Sequence, residues 1–477
     1  MFYQVAEAID DFLWGAPFLL VLAFGGILLT VKSNFFVFRH FGHIMKNTFG
    51  ELMGKEAKQK SKGHISAFEA MCVAIGGCVG TGNMGGVAAA IAVGGPGAVF
   101  WMWVWAFFGM TIKSVEAALA CYYRSKDEKG NFFGGPTYYM EKGIFKEKGK
   151  KIGLFLAWAF GIVFILQFLS GSQAYTISEA LYNSFGISQI GFVIAYSIFL
   201  FYVIWKGVPR IAKFASSLVP FMCVAYLLGG IALMVMNYQN IPNVFAMIFK
   251  GAFTGTAAVG GFAGATIAEA IKRGVSRSMN SNEAGQGTSP MIHAAADTPH
   301  PIKQGFWGSF EVFIDTIVVC SVTAFAILCT GVWDSGLTST GLTIAAFEAG
   351  FGQGGVIFIG VISILFGITT TAGWFAYFEA IINHGVKNIK LKNKLVKLFK
   401  FLYPIPNIVI VILIVVTGNG PELFWILIDI SLVFPAFFNV IALAMLSGKY
   451  KELLKDYKAR YMGIGKVDPD FKVFYEE

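Results

Sequence analysis

Long apolar runs without charge constrain this chain more than any other feature of its sequence. Residues 12–31, for example, contain no Asp, Glu, Lys or Arg. A helix of about 20 such residues crosses the roughly 30 Å hydrocarbon core of a bilayer. The strands of a membrane β-barrel would alternate apolar and polar residues, and these runs do not alternate. The sequence therefore predicts an all-α membrane protein of about eleven spans: 12–31, 66–93, 97–121, 152–183, 188–205, 214–236, 251–271, 304–331, 354–382, 400–417 and 422–446.

The few charges support the same prediction. Only 14% of the residues are charged, whereas soluble domains carry about 25%. The N-terminal segment holds Glu7, Asp10 and Asp11 and no basic residue. A secretory signal begins with a basic segment, so we expect the first span to be retained. Residues 1–450 are expected to form one transmembrane domain, with a cytoplasmic tail at 451–477.

Lysine and arginine alternate from one connection to the next. They concentrate in six segments: 32–65, 122–151, 206–213, 272–303, 387–400 and the tail from 449. The connections between these segments hold one basic residue, Lys250. The positive-inside rule then places the protein in the inner or plasma membrane, with its N-terminus outside and its C-terminus in the cytoplasm. The net charge of +9 is interpreted as a topology signal and a contact for anionic lipid, not as a site for nucleic acid.

Two glycine-rich segments share one pattern. Residues 74–81 read Ala-Ile-Gly-Gly-Cys-Val-Gly-Thr, and residues 258–265 read Ala-Val-Gly-Gly-Phe-Ala-Gly-Ala. They lie an odd number of predicted spans apart, so they would cross the membrane in opposite directions. This arrangement indicates an inverted repeat. Its halves would cover about 66–236 and 251–446, five spans each, with the span at 12–31 as an addition.

The glycines of the second span have a physical consequence. They fall close together, at Gly76, Gly77, Gly80, Gly82, Gly85 and Gly86. Each disfavours a helix by about 1 kcal/mol relative to Ala, so the segment is expected to unwind and expose peptide groups to a cavity. Helix N-termini favour a carboxylate, and helix C-termini favour a cation. A zwitterion bound together with a cation would satisfy both helix ends at the break. Close helix packing through small residues is the alternative.

Charged residues inside spans need partners because burying them is expensive. Lys113 and Glu116 are three positions apart, so we expect them to pair on one helix face. Asp315 lies deeper, and it is the candidate for cation attraction or proton coupling, with a structural hydrogen bond as the alternative. Three further carboxylates are expected to be solvated at cytoplasmic ends: Glu269, Glu311 and Glu379.

Hydroxyl and amide groups mark two other spans. The ninth span carries three consecutive threonines, 369–371, followed by Trp374. Threonine hydroxyls are suitable ligands for Na⁺, although they also bond to carbonyls of their own helix. Gln173 lies within an otherwise apolar run of the fourth span. A buried amide needs hydrogen-bond partners, which a substrate would supply.

Four sequence elements resemble those of one known family. They are Gly-Thr-Gly-Asn at 80–83, Gly-Gly-Pro-Thr-Tyr-Tyr-Met at 134–140, Ser-Asn-Glu-Ala-Gly-Gln-Gly at 281–287 and Phe-Ile-Asp-Thr at 313–316. Over residues 10–450 the chain resembles the alanine or glycine:cation symporter family. This resemblance implies a LeuT-like fold and import of alanine or glycine with Na⁺ or, as the alternative, with H⁺.

The resemblance also implies a binding site between two broken helices. The positions expected to bind the amino acid are Gly77, Thr81, Gly82, Asn83, Gln173, Phe262, Thr370 and Trp374. Those expected to bind Na⁺ are Ile75, Cys78, Thr369, Thr370 and Asp315. Na⁺ is then the coupling ion, and no organic cofactor is expected.

Other functional classes remain open at this stage. An ion channel would share the broken helices, and so would a transporter of a different small zwitterion. The amino acid itself is not identified, because the stretch around Gln173 departs from the pattern that the family usually shows there. An enzyme is not expected, since the six histidines have no metal-type spacing and lie in or beside predicted cytoplasmic segments.

Overall fold

The computed structural model describes residues 2–52, 65–128, 130–254, 266–417 and 422–476. Helices dominate it, and one hairpin pairs two short antiparallel strands, β1 (Ser125–Lys126) and β2 (Phe132–Phe133). Within this part of the chain, seven helices are long and apolar enough to span a membrane, and a bent pair forms an eighth candidate. Two shorter apolar helices add to these, Pro17–Lys32 and Gln189–Ile204.

The helices follow one another with short connections. The first twelve are α1 (Phe2–Leu13), α2 (Ala16–Lys32), α3 (Phe36–Arg39), α4 (Phe41–Lys46), α5 (Phe49–Leu52), α6 (Ala67–Cys78), α7 (Gly85–Gly94), α8 (Gly97–Tyr122), α9 (Pro136–Tyr139), α10 (Ile152–Leu166), α11 (Ser172–Phe185) and α12 (Gln189–Ile204). The others are α13 (Val208–Met236), α14 (Ile241–Thr254), α15 (Ile267–Asn282), α16 (Pro290–His293), α17 (Pro301–Val312), α18 (Ser321–Thr330), α19 (Ser339–Phe351), α20 (Gln353–Gly385), α21 (Ile389–Leu402), α22 (Ile405–Thr417) and α23 (Glu422–Met462).

Irregular turns interrupt several predicted spans. The span at 66–93 divides into α6 and α7, which are bent by 56°. The span at 152–183 divides at Gly171, whose φ of 53° lies in the left-handed region that favours glycine. π-helical turns at Phe313–Cys320 join α17 to α18. The prediction of a helical protein with many membrane spans is confirmed.

The seventh predicted span differs from the structure. It was expected at 251–271, but α14 is described over Ile241–Thr254, and α15 covers Ile267–Asn282 and so continues well past the predicted end. The second glycine motif, 258–265, lies outside the described residues, and so does Phe262. The sequence suggested an early end because Lys272, Arg273 and Arg277 resemble a basic connection.

These cations lie on α15 itself, where two of them form ion pairs. Arg277 lies 3.2 Å from Asp429 on α23, and Arg273 lies 2.6 Å from Glu269 one turn earlier. A paired charge is far less costly to bury than an isolated one. The basic segment expected at 272–303 is therefore not a simple cytoplasmic connection.

Helices α7 and α15 pack side by side in opposite directions. A Cβ atom added to Gly94 would lie 3.1 Å from Arg273 and 3.5 Å from Ala270, whereas one added to Gly86 would lie 3.9 Å from Arg277. As α7 advances from Gly86 to Gly94, its neighbours on α15 therefore move back toward the start of that helix at Ile267. Glu269, on the first turn of α15, consequently lies beside Gly94 and not at the predicted cytoplasmic end.

Small residues allow the central helix α8 to approach its neighbours closely. A Cβ added to Gly97 would lie 2.3 Å from the backbone of Gly251, and one added to Gly274 would lie 2.4 Å from the carbonyl oxygen of Ala98. A Cβ added to Gly308 of α17 would likewise lie 2.8 Å from the carbonyl oxygen of Lys113 on α8. Without a hydrophobic drive in lipid, close van der Waals contact of this kind stabilises helix association.

The C-terminal residues fold back onto the loop after α8. Helix α23 continues to Met462, beyond the predicted membrane boundary at 446. The Arg124 guanidinium lies between two rings, 3.6 Å from the centroid of Phe132 and 4.2 Å from that of Phe474. Glu476 pairs with Lys142 at 2.6 Å. The segment expected at 451–477 is therefore partly packed on the protein.

We expect Phe474→Ala to release the C-terminal segment. The change removes a cation–π contact worth about 0.5–2 kcal/mol together with the burial of a ring that is 8% exposed. Trypsin cleavage after Lys472, followed by mass spectrometry of the purified protein, should become faster. Val467→Ala is the control because that side chain is 48% exposed. Equal cleavage rates for the two variants would contradict the packing described here.

Candidate functional site

A cavity of about 970 Å³ lies beside the break between α6 and α7. Residues of α11, α15, α19 and α20 complete its walls. It extends from Gly77 past Ala89 of α7 to Glu348 of α19, that is, toward the end of the bundle where α7 finishes at Gly94. We call this the Gly94 end and the opposite end, where α8 finishes, the Tyr122 end.

The break has a defined backbone structure. Helix α6 ends at Cys78, and Val79 and Gly80 are extended before a 3₁₀ turn at Thr81–Asn83. The Gly80 amide donates to the side-chain oxygen of Asn83 at 2.9 Å. The Asn83 side chain thus replaces a helical carbonyl as hydrogen-bond acceptor. The predicted unwinding of this segment is confirmed by its geometry.

Gln173 reaches across the cavity to the break. Its side-chain oxygen accepts hydrogen bonds from the Thr81 amide at 3.1 Å and from the Thr81 hydroxyl at 2.9 Å. The structure therefore brings together two of the residues expected to bind the amino acid. Gly82 is next to them, and no described atom lies within 4 Å of the position that a Cβ atom would take there. This position faces open space in the cavity.

Thr370 connects α20 to the end of α6. Its hydroxyl lies 2.9 Å from the Gly76 carbonyl oxygen and 3.3 Å from that of Val79. A Cβ added to Gly80 would lie 2.7 Å from the same hydroxyl. Glycine at position 80 therefore permits this approach.

The neighbouring threonine behaves differently. The Thr369 hydroxyl donates within its own helix, where it lies 3.0 Å from the Leu365 carbonyl oxygen and 2.9 Å from that of Phe366. This was the alternative considered for the threonine run. Ile75 and Cys78 lie in the last turn of α6, where the Cys78 thiol is 3.4 Å from the Ile75 carbonyl oxygen. Their assignment as Na⁺ ligands stays a prediction.

The end of α15 forms the opposite wall. Arg277, Asn280 and Glu283 all line the cavity. Glu283 adopts a left-handed conformation with φ of 55° and terminates the helix. Its Oε1 accepts a hydrogen bond from the Trp374 indole at 2.9 Å. Sequence reasoning assigned no role to Glu283, although it had singled out the motif 281–287 that contains it and placed that motif in a cytoplasmic connection.

Asp315 does not line the cavity, but it connects the break between α6 and α7 to the end of α15. Its carboxylate accepts hydrogen bonds from Asn83 at 2.6 Å, Ser281 at 2.8 Å and Thr316 at 2.8 Å. The side chain is fully buried. These bonds correspond to the structural alternative that the sequence left open for Asp315, and its role toward a cation stays a prediction.

Further buried charges close the bundle toward the Tyr122 end. Lys113 pairs with Glu311 on α17, 3.5 Å away, rather than with Glu116 as expected. Glu311 is fully buried, so the expectation that it is solvated is wrong. It also lies 3.1 Å from His293. Glu116 instead accepts a hydrogen bond from the Gly287 amide at 3.1 Å.

A family model described as the sodium:alanine symporter family matches residues 1–472. The chain is 39% identical over 456 residues to the uncharacterized transporter YflA of Bacillus subtilis, covering 94% of this chain and 92% of the relative. It is 38% identical over 400 residues to the sodium/alanine symporter AgcS of Methanococcus maripaludis, covering 82% and 85%. It is 36% identical over 472 residues to the probable sodium/glutamine symporter GlnT of Bacillus subtilis, covering 98% and 92%.

One solved structure shares the overall fold. It is a Na⁺-coupled sialic acid symporter in a substrate-bound outward-open state, and it matches with a TM-score of 0.53. The alignment covers 91% of this chain and 98% of that chain. Because only 13% of the aligned residues are identical, the likeness concerns the fold alone.

We expect Asp315→Leu to destabilise the protein by about 2–4 kcal/mol, because each buried donor left without an acceptor costs about 1–3 kcal/mol. Ser281→Ala removes only one of the three bonds and should cost about 1 kcal/mol. Thermal unfolding of the purified full chain in detergent measures both effects. Equal stability of the two variants would show that the carboxylate does not hold the walls together.

Proposed function

This chain belongs to the sodium:alanine symporter family, and we propose that it imports a small neutral amino acid together with Na⁺. The family consists of transporters, so the protein is a multi-pass membrane protein of transport function and its family resemblance is confirmed. The helical fold is shared with LeuT-like transporters. The observation that carries the proposal is a broken helix with exposed peptide groups beside a cavity.

The break offers a place for a carboxylate. The 3₁₀ turn Thr81–Asn83 leads directly into α7, and the first amides of such a helical segment have no partners within it. The helix dipole favours negative charge at this end. Thr81 and Gly82 line the cavity there. In the proposal their amides bind the substrate carboxylate, and Gln173 gives up its bond to Thr81 when the ligand arrives.

The end of α6 offers a place for a cation. The last carbonyl groups of a helix lack backbone donors and carry partial negative charge. The Thr370 hydroxyl already faces the carbonyls of Gly76 and Val79. We assign Na⁺ to this junction, with Ile75, Cys78 and Thr369 close to it and Asp315 as a further candidate. Coupling follows because the two binding sites share one break.

The closed and open ends suggest how access alternates. The cavity extends toward the Gly94 end. Toward the Tyr122 end, the Trp374–Glu283 hydrogen bond and the Lys113–Glu311 pair cross the protein. With the N-terminus outside and the C-terminus in the cytoplasm, this conformation is open to the outside.

The proposed architecture is an inverted repeat of five plus five helices within one transporter domain over residues 1–450. It is supported by the opposite directions of α7 and α15. In this arrangement the second break is the loop that follows Glu283, since α16 begins at Pro290. The glycine motif at 258–265, on which the sequence prediction of the repeat rests, lies outside the described residues.

The cavity wall bears on the size of the substrate side chain. Trp374 lies on the cavity wall and would limit its size. A longer neutral amino acid is the second candidate, since the cavity continues past the break to Glu348. A relative named a probable sodium/glutamine symporter supports testing this possibility.

Uptake into proteoliposomes tests the proposed function directly. We expect an inward Na⁺ gradient to drive accumulation of labelled alanine or glycine, with glutamine as the longer comparison. A potential of 100 mV acting on one charge supplies about 2.3 kcal/mol, which permits roughly fiftyfold accumulation. Vesicles with equal Na⁺ on both sides are the control. Uptake that is indifferent to both Na⁺ and pH gradients would remove the symport proposal.

Gly82→Leu should abolish detectable alanine binding, a loss of roughly 100-fold or about 2.7 kcal/mol, while the protein stays folded. Position 82 does not require a positive φ, and its side chain would enter open space. Gly448→Leu is the matched control because a Cβ there also meets no described atom within 4 Å. Normal binding by Gly82→Leu would move the site elsewhere.

A further inference from the structure

The cavity wall contains a buried carboxylate with one unused oxygen. Glu283 lines the cavity, and the residue is only 3% exposed. Its Oε1 accepts the hydrogen bond from Trp374, whereas its Oε2 has no hydrogen-bond partner in the described part of the chain. Thr288 is the neighbouring hydroxyl, and it makes no hydrogen bond of standard geometry with this oxygen. Buried polar groups without partners are rare and need an explanation.

The backbone holds this side chain in place. The Glu283 amide donates to the Met279 carbonyl oxygen at 2.8 Å and so ends α15. Its φ of 55° lies in the left-handed region, which residues other than glycine seldom adopt. Strained residues of this kind concentrate at functional sites. The carboxylate is therefore fixed at the cavity wall rather than mobile.

The surrounding charges leave Glu283 without a cation. Lys113 is the buried base whose charge acts on it, but Lys113 forms its ion pair with Glu311. Arg277 also lines the cavity, and it pairs with Asp429. Among the described residues around the cavity, the cations are thus already used by other carboxylates. Burying a carboxylate charge without a partner is costly, so such a group either takes up a proton or pairs with a cationic ligand that enters the cavity.

The wall across the cavity from Glu283 is the break between α6 and α7. In the proposed function, the amides of Thr81 and Gly82 bind the substrate carboxylate. A zwitterion bound there would present its ammonium group to a different wall of the same cavity. A carboxylate with a free oxygen is the acceptor that an ammonium prefers, because charge-assisted hydrogen bonds are the stronger ones.

We propose that Glu283 binds the α-ammonium group of the substrate, an inference that rests on the proposed function. It makes the site selective for zwitterions that carry N–H donors. Simple carboxylic acids such as propionate lack the cation. Trimethylglycine has the cation but has no N–H donor, so it would also be rejected.

The test compares Glu283→Gln with Glu348→Gln in the purified full chain. Glutamine can still accept the Trp374 hydrogen bond but carries no charge. We expect Glu283→Gln to lower the affinity for labelled alanine roughly 10- to 100-fold, since hydrogen bonds to charged groups are the strong class. Glu348→Gln makes the same charge change at an exposed position of the same cavity. It should change the affinity by no more than about threefold, because solvent screens an exposed charge.

A second measurement separates the ammonium from the cation. Thermal unfolding with and without Na⁺, in the absence of alanine, reports cation binding. We expect Glu283→Gln to keep the stabilisation by Na⁺. Loss of that stabilisation would identify Glu283 as a cation ligand and overturn the proposal, as would alanine binding equal to that of Glu348→Gln.

Glu283→Asp replaces Glu283→Gln in the affinity test if the glutamine variant does not fold. It keeps the charge and withdraws it by one methylene group, so alanine affinity should fall while the preference for alanine over propionate remains. Unchanged alanine affinity in Glu283→Asp would overturn the role of Glu283. A wild-type protein that binds no amino acid in Na⁺ would instead overturn the proposed function, so the two failures are distinguishable.

Discussion

The need to satisfy peptide groups in a medium without water governs this structure. A helix broken inside the bilayer exposes amides and carbonyls whose burial without partners costs several kcal/mol. One side chain of the break itself and two from distant segments take over at the break between α6 and α7. Asn83 accepts the Gly80 amide, Gln173 accepts the Thr81 amide, and Thr370 reaches the carbonyls at the end of α6. The irregular segment is thus stable while it still faces a cavity.

The same chemistry explains why charge concentrates around the break. Asp315 accepts hydrogen bonds from both walls, and Lys113 and Glu311 pair closer to the Tyr122 end. Paired charges of this kind contribute little net stability, but they become costly when one partner is lost. They therefore favour one arrangement of the helices. Glycine and alanine on α8, α15 and α17 allow these helices to come close enough for the pairs to form.

The sequence predicted the membrane fold and the first wall of the site, because apolar runs and clustered glycines act locally. Thr81 and Gln173 are hydrogen-bonded to each other, and Thr370 contacts the same break; their role in binding an amino acid stays a prediction. The wall formed by the end of α15 was not predicted. In the sequence Arg277 resembles a residue of a cytoplasmic connection, and its ion-pair partner Asp429 lies far along the chain. The pairing of Lys113 was missed for the same reason. Spacing along one helix indicated Glu116 as its partner, but the packing of α8 against α17 places Glu311 beside it.

The hydrogen bond between Gln173 and the break has a consequence for affinity. A neutral amide oxygen already occupies the Thr81 donors, so an arriving molecule exchanges one acceptor for another instead of filling a vacancy. The number of hydrogen bonds hardly changes in such an exchange, and only the difference in acceptor strength remains as a gain. In the proposed function an ionised oxygen would displace the internal amide, whereas esters and amides of the same size would compete on equal terms with it. Gln173 would thereby set the affinity that a ligand must exceed, and it would return to Thr81 once the ligand leaves.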